Sequence, residues 1–253
     1  GALARAALTS AAVWPQIAPR TSTAGGLSRH AVTAHGSEDA VVAETRYIVV
    51  EGPIGVGKTS LARRLADAFE CHLVEELPDA NPFLERFYAD PRQSALATQL
   101  QFLLNRYRQQ RTLAASRDGR GIVADYLFAK DQIFAQMNLD GPELTLYREI
   151  LGLLAEPVLT PDLVIYLEAR PEVLLRRLRK RNREFERRIS EAYLEGLIEA
   201  YRRFFHEYTE APVLVVNCSA IDFVEQGSDL ADLIREIRSV KQGMQQYIPL
   251  GSQ

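Results

Sequence analysis

The chain is poor in several things, and each shortage removes a class of protein. It has only two cysteines, Cys71 and Cys218, which make neither a disulfide framework nor a metal-binding spacing. A stapled secreted scaffold is excluded, and a reducing, cytoplasmic setting is the simpler expectation. No apolar run is long enough to span a bilayer, so no membrane partner is expected. The net charge of −3 gives no excess of either sign, and nothing global attracts a nucleic-acid polymer. Acids are missing from the N-terminal stretch, where none precedes Glu38. Residues 1–45 are instead rich in Ala, Ser, Thr and Gly, with Arg5, Arg20 and Arg29. That composition suits a disordered extension or a mitochondrial transit peptide, and either lies outside the fold.

What remains is ample for a core. Hydrophobic residues make up 47% of 253 positions, enough for one sizeable α/β domain, expected over 46–246 with a polar tail at 247–253. Its centre is YIVVEGPIGVGKTSLARRLADAF, residues 47–69. Tyr47 to Val50 are apolar and β-branched, as in a strand buried on both faces. G-x-x-x-x-G-K-T follows, and Leu61, Leu65 and Ala68 then recur at helical spacing. Strand, glycine-rich loop and helix start therefore come in the order that holds a polyphosphate. Gly52, Gly55 and Gly57 let backbone N–H groups turn inward, and the helix start at Ser60 adds unpaired donors. Lys58 can reach the β- and γ-phosphates, and the Thr59 hydroxyl can ligate Mg²⁺. The chain is expected to bind a nucleoside triphosphate.

Further strands are expected at 72–76, 121–125, 163–167 and 213–216, with helices between them and a terminal helix within 228–246. This alternation predicts a parallel sheet covered on both faces, a three-layer αβα P-loop fold. Helices are expected at 83–88, 93–115, 126–137, 143–155, from Pro171 into a basic stretch, and at 189–208. Ligands gather beyond the carboxyl ends of such strands, where Glu75, Glu76 and Asp125 fall. Asp125 ends a buried strand and suits a Mg²⁺-linked role. Glu75 or Glu76 could take the proton of an acceptor hydroxyl, and spacing alone does not choose between them. From Arg176 to Arg188 eight basic residues face only Glu184 and Glu186. The run reads either as a solvated helix face or as an arginine lid over phosphates.

In VEGPIGVGKTS, EELPDANPFLERFY, QLQFLLNR, VADYLFAKD, RLRKRNREFE and NCSAIDF, taken in order, the chain resembles the deoxyribonucleoside kinases, near the bacterial deoxyadenosine and deoxyguanosine enzymes. The resemblance spans about 46–225 and implies a five-stranded parallel sheet with a lid, usually in a homodimer. It implies transfer of the γ-phosphate of ATP to the 5′-hydroxyl of a deoxyribonucleoside, a step in nucleotide salvage, with Mg²⁺. By position it makes Glu76 the base and places Gln99, Arg106 and Asp131 around the nucleobase. Tyr88 and Glu186 fall at the sugar 3′-hydroxyl, and Arg177, Arg181 and Arg183 match the lid arginines. Asp222 and Phe223 match the loop against the adenine of ATP.

One position departs from the family. Arginine usually follows the strand-end acid, whereas Tyr126 and Leu127 follow Asp125 here. Arg106 is the expected substitute in contacting the phosphate and the 5′-oxygen. A nucleotide kinase of the thymidylate kinase type would want arginine at Tyr126, which counts against that alternative. A switch GTPase would show N-K-x-D, which is missing. A non-catalytic nucleotide-binding scaffold would keep Lys58 without acceptor-dependent turnover.

Overall fold

The computed structural model describes residues 47–115, 119–154, 158–219, 227–240 and 242–249. Residues 1–46 and the pair Asp222–Phe223, expected to lie against the adenine of ATP, fall outside these residues.

Strand β1 (Tyr47–Glu51) is buried along its whole length. On one side it pairs in parallel with β3 (Ile122–Ala124), on the other with β4 (Leu163–Glu168). Strand β2 (His72–Val74) extends the first side, and β5 (Val213–Asn217) extends the second. The sheet order β2-β3-β1-β4-β5-β6 reverses direction at β1, so a crevice opens at its carboxyl end. The phosphate loop leaves β1 at that point.

The sheet has six strands, not the five expected. Strand β6 (Met244–Tyr247) pairs in parallel with β5 at the edge. Its sequence, MQQY, lacks apolar alternation because most of it faces solvent, which is why it reads as tail. The strand expected at 72–76 stops at Val74. Glu76 gives its N–H to the Asp125 carboxylate at 2.6 Å, and the ladder ends one step earlier, where Asp125 N–H donates to Val74 C=O.

The helix expected at 126–137 begins five residues late. Leu127 is extended because its N–H is captured by the Glu51 carboxylate at 2.7 Å. A single 3₁₀ turn at Phe128–Lys130 leads into α4 (Asp131–Asn138).

The main core lies between the sheet and α1 (Lys58–Ala68), α6 (Pro171–Arg181), α7 (Glu191–Glu207) and α8 (Gly227–Ser239). Leu61, Ala62, Leu65 and Ala66 form the buried stripe of α1. On α7 the stripe includes Leu194, Leu197, Tyr201 and Phe205, and Phe205 stacks on Tyr166 of β4 with ring centroids 4.2 Å apart. A second core joins α2 (Leu84–Ala89), α3 (Pro91–Ala115), α4 and α5 (Gly141–Leu154) around Leu103, Phe128 and Tyr147. This helical wing supplies Leu84, Phe87, Gln99 and Phe102 to one wall of the crevice. Among the described residues no helix is long and apolar enough to cross a membrane.

Gly52 shows how closely loop and sheet approach. A Cβ at this position would lie 2.4 Å from the carbonyl oxygen of Leu167, which is fixed backbone. Gly52→Ala is expected to cost more than about 2 kcal/mol. Gly57 also has a positive φ, of 108°, but open space around it, so Gly57→Ala is expected to cost only about 1–2 kcal/mol. Chemical denaturation of the two variants side by side checks the order.

Candidate active site

The phosphate loop is built from backbone. Gly57 sits before α1 in a left-handed conformation, and no acidic residue occupies the helix's first turn. The amides that start the helix, near Lys58, Thr59 and Ser60, therefore lack intrahelical acceptors and form an anion cradle. The Lys58 ammonium lies across the loop, donating to the carbonyls of Gly52 at 2.7 Å and Pro53 at 3.3 Å. Burial, then the like charge of Lys130, lowers the Lys58 ammonium to about 8. A polyphosphate in the cradle would push it back toward its ordinary value.

The loop is braced by the helix that follows β4. A Cβ on Gly55 would meet the Leu178 side chain of α6 at 3.0 Å. Arg177 of α6 donates to Val56 C=O at 2.9 Å and to Cys218 C=O at 3.0 Å. The expected lid arginine Arg177 thus ties the loop to the end of β5.

Beyond the loop lies a cavity of about 270 Å³. Its lining runs from Gly55, Lys58 and Thr59 to Gln99, Phe102 and Asn138, with Arg181, Arg183 and Glu186 across the opening. Tyr88, Arg106, Asp125 and Lys130 also face it. Every expected site residue from Tyr88 to Glu186 apart from Asp131 and Arg177 lines this one space. Asp131 holds its lining residues Arg106 and Gln99 from behind, while Arg177 bonds Val56 and Cys218 outside it.

Thr59 Oγ1 donates to Asp125 Oδ2 at 2.5 Å, so the two expected metal ligands already touch. The Asp125 carboxyl is raised by burial, against hydrogen bonds from Thr59 and the Glu76 N–H that lower it. These two hard oxygen donors at the mouth of the phosphate loop fit a divalent ion such as Mg²⁺, which keeps its other positions for phosphate and water.

The neighbouring acids Glu75 and Glu76 separate cleanly. Glu75 accepts from Arg63 at 2.5 Å on the outer rim, where the Arg63 side chain is exposed. Glu76 turns inward between two buried cations. Its Oε1 accepts from Arg106, through Nε at 2.9 Å and also through Nη2, and its Oε2 accepts from Lys130 at 2.8 Å. Burial alone would raise this carboxyl. The charges of Arg106 and Lys130, with their hydrogen bonds, overcome that and hold it far below the usual carboxylate range.

Arg106, expected to contact the phosphate and the 5′-oxygen, is engaged by two acids here. Its guanidinium joins Glu76 to Asp131, and it also lies over the Phe102 ring, 5.0 Å from the centroid. Tyr147 O–H donates to the other Asp131 oxygen at 2.7 Å, and Gln99 donates from Nε2 to the Asp131 carbonyl at 3.0 Å. Gln99 and Arg106 are both 4% exposed, which excludes the solvated helix face they could have formed. The lid arginines meet acids: Arg181 forms a two-point pair with Glu186, and Arg183 lies 3.4 Å from Asp79.

Two residues carried no signal that sequence reasoning used. Glu51, fully buried, accepts from Gly52 N–H at 2.7 Å, Leu127 N–H at 2.7 Å and Tyr201 O–H at 2.9 Å. Lys130, buried in the cavity wall, is the other. Its place next to Asp131, five residues beyond the strand-end acid Asp125, is the available clue.

A nucleotide cradle, a deep polar cavity and an inward carboxylate between them define a P-loop phosphotransferase acting on a small acceptor. Comparison with known proteins narrows this. A profile described as "Deoxynucleoside kinase" matches residues 48–241. The chain is 34% identical over 200 residues to deoxyguanosine kinase of Bacillus subtilis (strain 168), covering 77% of this chain and 97% of that one. It is 30% identical over 207 residues to deoxyadenosine/deoxycytidine kinase of the same organism, covering 79% and 94%. The fold is similar to that of deoxyadenosine kinase from M. mycoides with bound dATP, with a TM-score of 0.68 at 24% identity over 76% of this chain and all 100% of that one. The chain belongs to the deoxynucleoside kinase family, and it is an enzyme that phosphorylates deoxynucleosides.

Removing Arg106 would leave Asp131 as a fully buried charge without its cation, and Glu76 with Lys130 alone. Arg106→Met is expected to destabilise the fold by about 3–5 kcal/mol, as breaking one side of a buried ion pair does. Arg63→Met, at an exposed pair, should cost less than about 1 kcal/mol. Urea denaturation of both variants makes the comparison.

Proposed function

We propose that ATP is the phosphate donor, with Mg²⁺, and that the acceptor is the 5′-hydroxyl of a purine deoxyribonucleoside. The observation that carries this reading is Glu76, an inward carboxylate held between Arg106 and Lys130 in the cavity that also contains Lys58. The relatives named for deoxyguanosine and deoxyadenosine support a purine acceptor.

In this reading Gly52, Gly55, Gly57 and the amides up to Ser60 hold the triphosphate. Lys58 neutralises its β- and γ-oxygens. Thr59 and Asp125 would hold the Mg²⁺, which supplies charge neutralisation on the phosphates when bound. Gln99, Arg106 and Asp131 frame the base, while Tyr88 and Glu186 take the 3′-hydroxyl. Glu76 accepts the proton of the 5′-hydroxyl. A carboxylate kept so acidic is a weak base, which suits a loose phosphoryl-transfer transition state where the proton leaves late. Until then its chief work is to orient the hydroxyl. Arg181 and Arg183 move from Glu186 and Asp79 onto the phosphates as the lid closes and excludes water. The Asp222–Phe223 loop would lie against the adenine of ATP.

We also infer a homodimer through the face formed by α3 and α5, which pack on each other. Leu104, Leu146 and Leu153 are exposed there, Leu153 to 85%. Leu146→Asp combined with Leu153→Asp should then give a monomer in sedimentation velocity, where the wild type is dimeric.

Activity is tested with ATP, Mg²⁺ and a panel of four deoxyribonucleosides, their monophosphates and no acceptor. Turnover with deoxyadenosine or deoxyguanosine is expected. Turnover with monophosphates only would move the chain to the nucleotide kinases, and acceptor-independent hydrolysis would remove the assigned roles. Glu76→Gln is expected to lower kcat by about 10²–10⁴-fold with the fold intact. Glu75→Gln should stay near wild type, and the reverse pattern would move the base by one residue.

A further inference from the structure

The residue after the strand-end acid brings no cation. Tyr126 is fully buried, with its ring 6.0 Å from the guanidinium carbon of Arg106. A cation nevertheless reaches this place by another backbone path. Leu127, held by Glu51, turns the chain outward, and the 3₁₀ turn returns it, with Lys130 N–H donating to Leu127 C=O at 3.1 Å. The Lys130 side chain, 3% exposed, then enters the cavity between Glu76 Oε2 at 2.8 Å and Glu51 Oε2 at 3.8 Å.

Burying an ammonium costs several kcal/mol before pairing, and these carboxylates offset that cost. Pairing alone does not explain the position. Glu51 already accepts three hydrogen bonds, and Oε1 of Glu76 is already held by Arg106. Lys130 also adds a second ammonium to the cavity that holds Lys58, and the two repel. Glu51, Glu76 and Asp125 offset part of that repulsion, and a phosphoryl group facing both ammoniums would offset more.

We propose that Lys130 is a catalytic residue: it fixes the second oxygen of Glu76 toward the 5′-hydroxyl and, in the cavity that also holds Lys58, faces the transferring phosphoryl group. This rests on the kinase reading above. In the step itself the 5′-oxygen forms its bond to the γ-phosphorus as the bond from that phosphorus to the β-bridging oxygen breaks. The hydroxyl proton passes to Glu76, and ADP leaves with the electron pair. Lys130 neither gains nor loses a proton.

The test separates this role from that of a structural counter-ion. Lys130→Met is expected to lower kcat by about 100-fold or more while KM for ATP and deoxynucleoside changes only a few-fold. Lys130→Arg should recover part of the loss. Should Lys130→Met fail to fold, Lys130→Cys is compared before and after alkylation with 2-bromoethylamine, which restores an ammonium, with wild type under the same reagent controlling for Cys71 and Cys218. Recovery of kcat on alkylation supports the proposal. A folded Lys130→Met with near-normal kcat overturns it, as does alkylation that restores thermal stability without turnover. Absence of deoxynucleoside-dependent turnover in the wild type would instead overturn the kinase reading itself.

Discussion

The site depends on one buried carboxylate that does no chemistry. Glu51, the last residue of the central strand, binds the first amide of the phosphate loop, the amide of Leu127 beyond β3 and the hydroxyl of Tyr201 on α7. A buried charge is tolerated when hydrogen bonds replace its hydration, and three donors do so here. Their arrangement also fixes geometry. The same anion sets where the phosphate loop begins, where the chain turns after β3 and how α7 sits against the sheet. Lys58, Lys130 and Glu76 owe their mutual placement to that anchor.

Around it the charges form a chain in which each group holds the next. Lys130 spans Glu51 and Glu76, Glu76 is shared with Arg106, and Arg106 joins Asp131, whose other oxygen is held by Tyr147. Such a network stores positional information more than stability, because desolvation consumes much of the Coulombic gain. Its use is that a single guanidinium sets both Glu76 and Asp131. In the function proposed above, a change in how the nucleobase is seated would reach the carboxylate assigned to the 5′-hydroxyl.

Much of this was legible in the sequence, for physical reasons. A phosphate loop requires glycine where a side chain would collide, and buried parallel strands require apolar runs, so β1 and its loop stand out. Asp125 could be placed because an acid ending such a run is unusual. The edge strand Met244–Tyr247 was missed because an exposed edge has no apolar pattern to read. The late start of α4 was hidden because a tertiary hydrogen bond from Leu127 to Glu51 outweighs local helical preference. Lys130 and Glu51 escaped notice because a buried charge is defined by partners distant in the chain. Gln99 and Arg106 needed the family resemblance, since periodicity on a helix with apolar residues on every side does not single them out.

The clamp made by Arg177 limits how this enzyme can move. Its guanidinium grips the carbonyls of Val56 and Cys218, and Leu178 packs against Gly55 one residue later. The first two turns of α6 thus belong mechanically to the rigid floor. Asn182, with a left-handed φ of 56°, closes the helix, and the chain beyond it carries Arg183 and Glu186. Any rearrangement at the mouth is then confined to the end of α6 at Arg181 and the short segment beyond Asn182, and does not tilt the helix as a whole. Admitting an acceptor at the mouth therefore need not disturb the phosphate loop, which is tied to the part of α6 that stays in place.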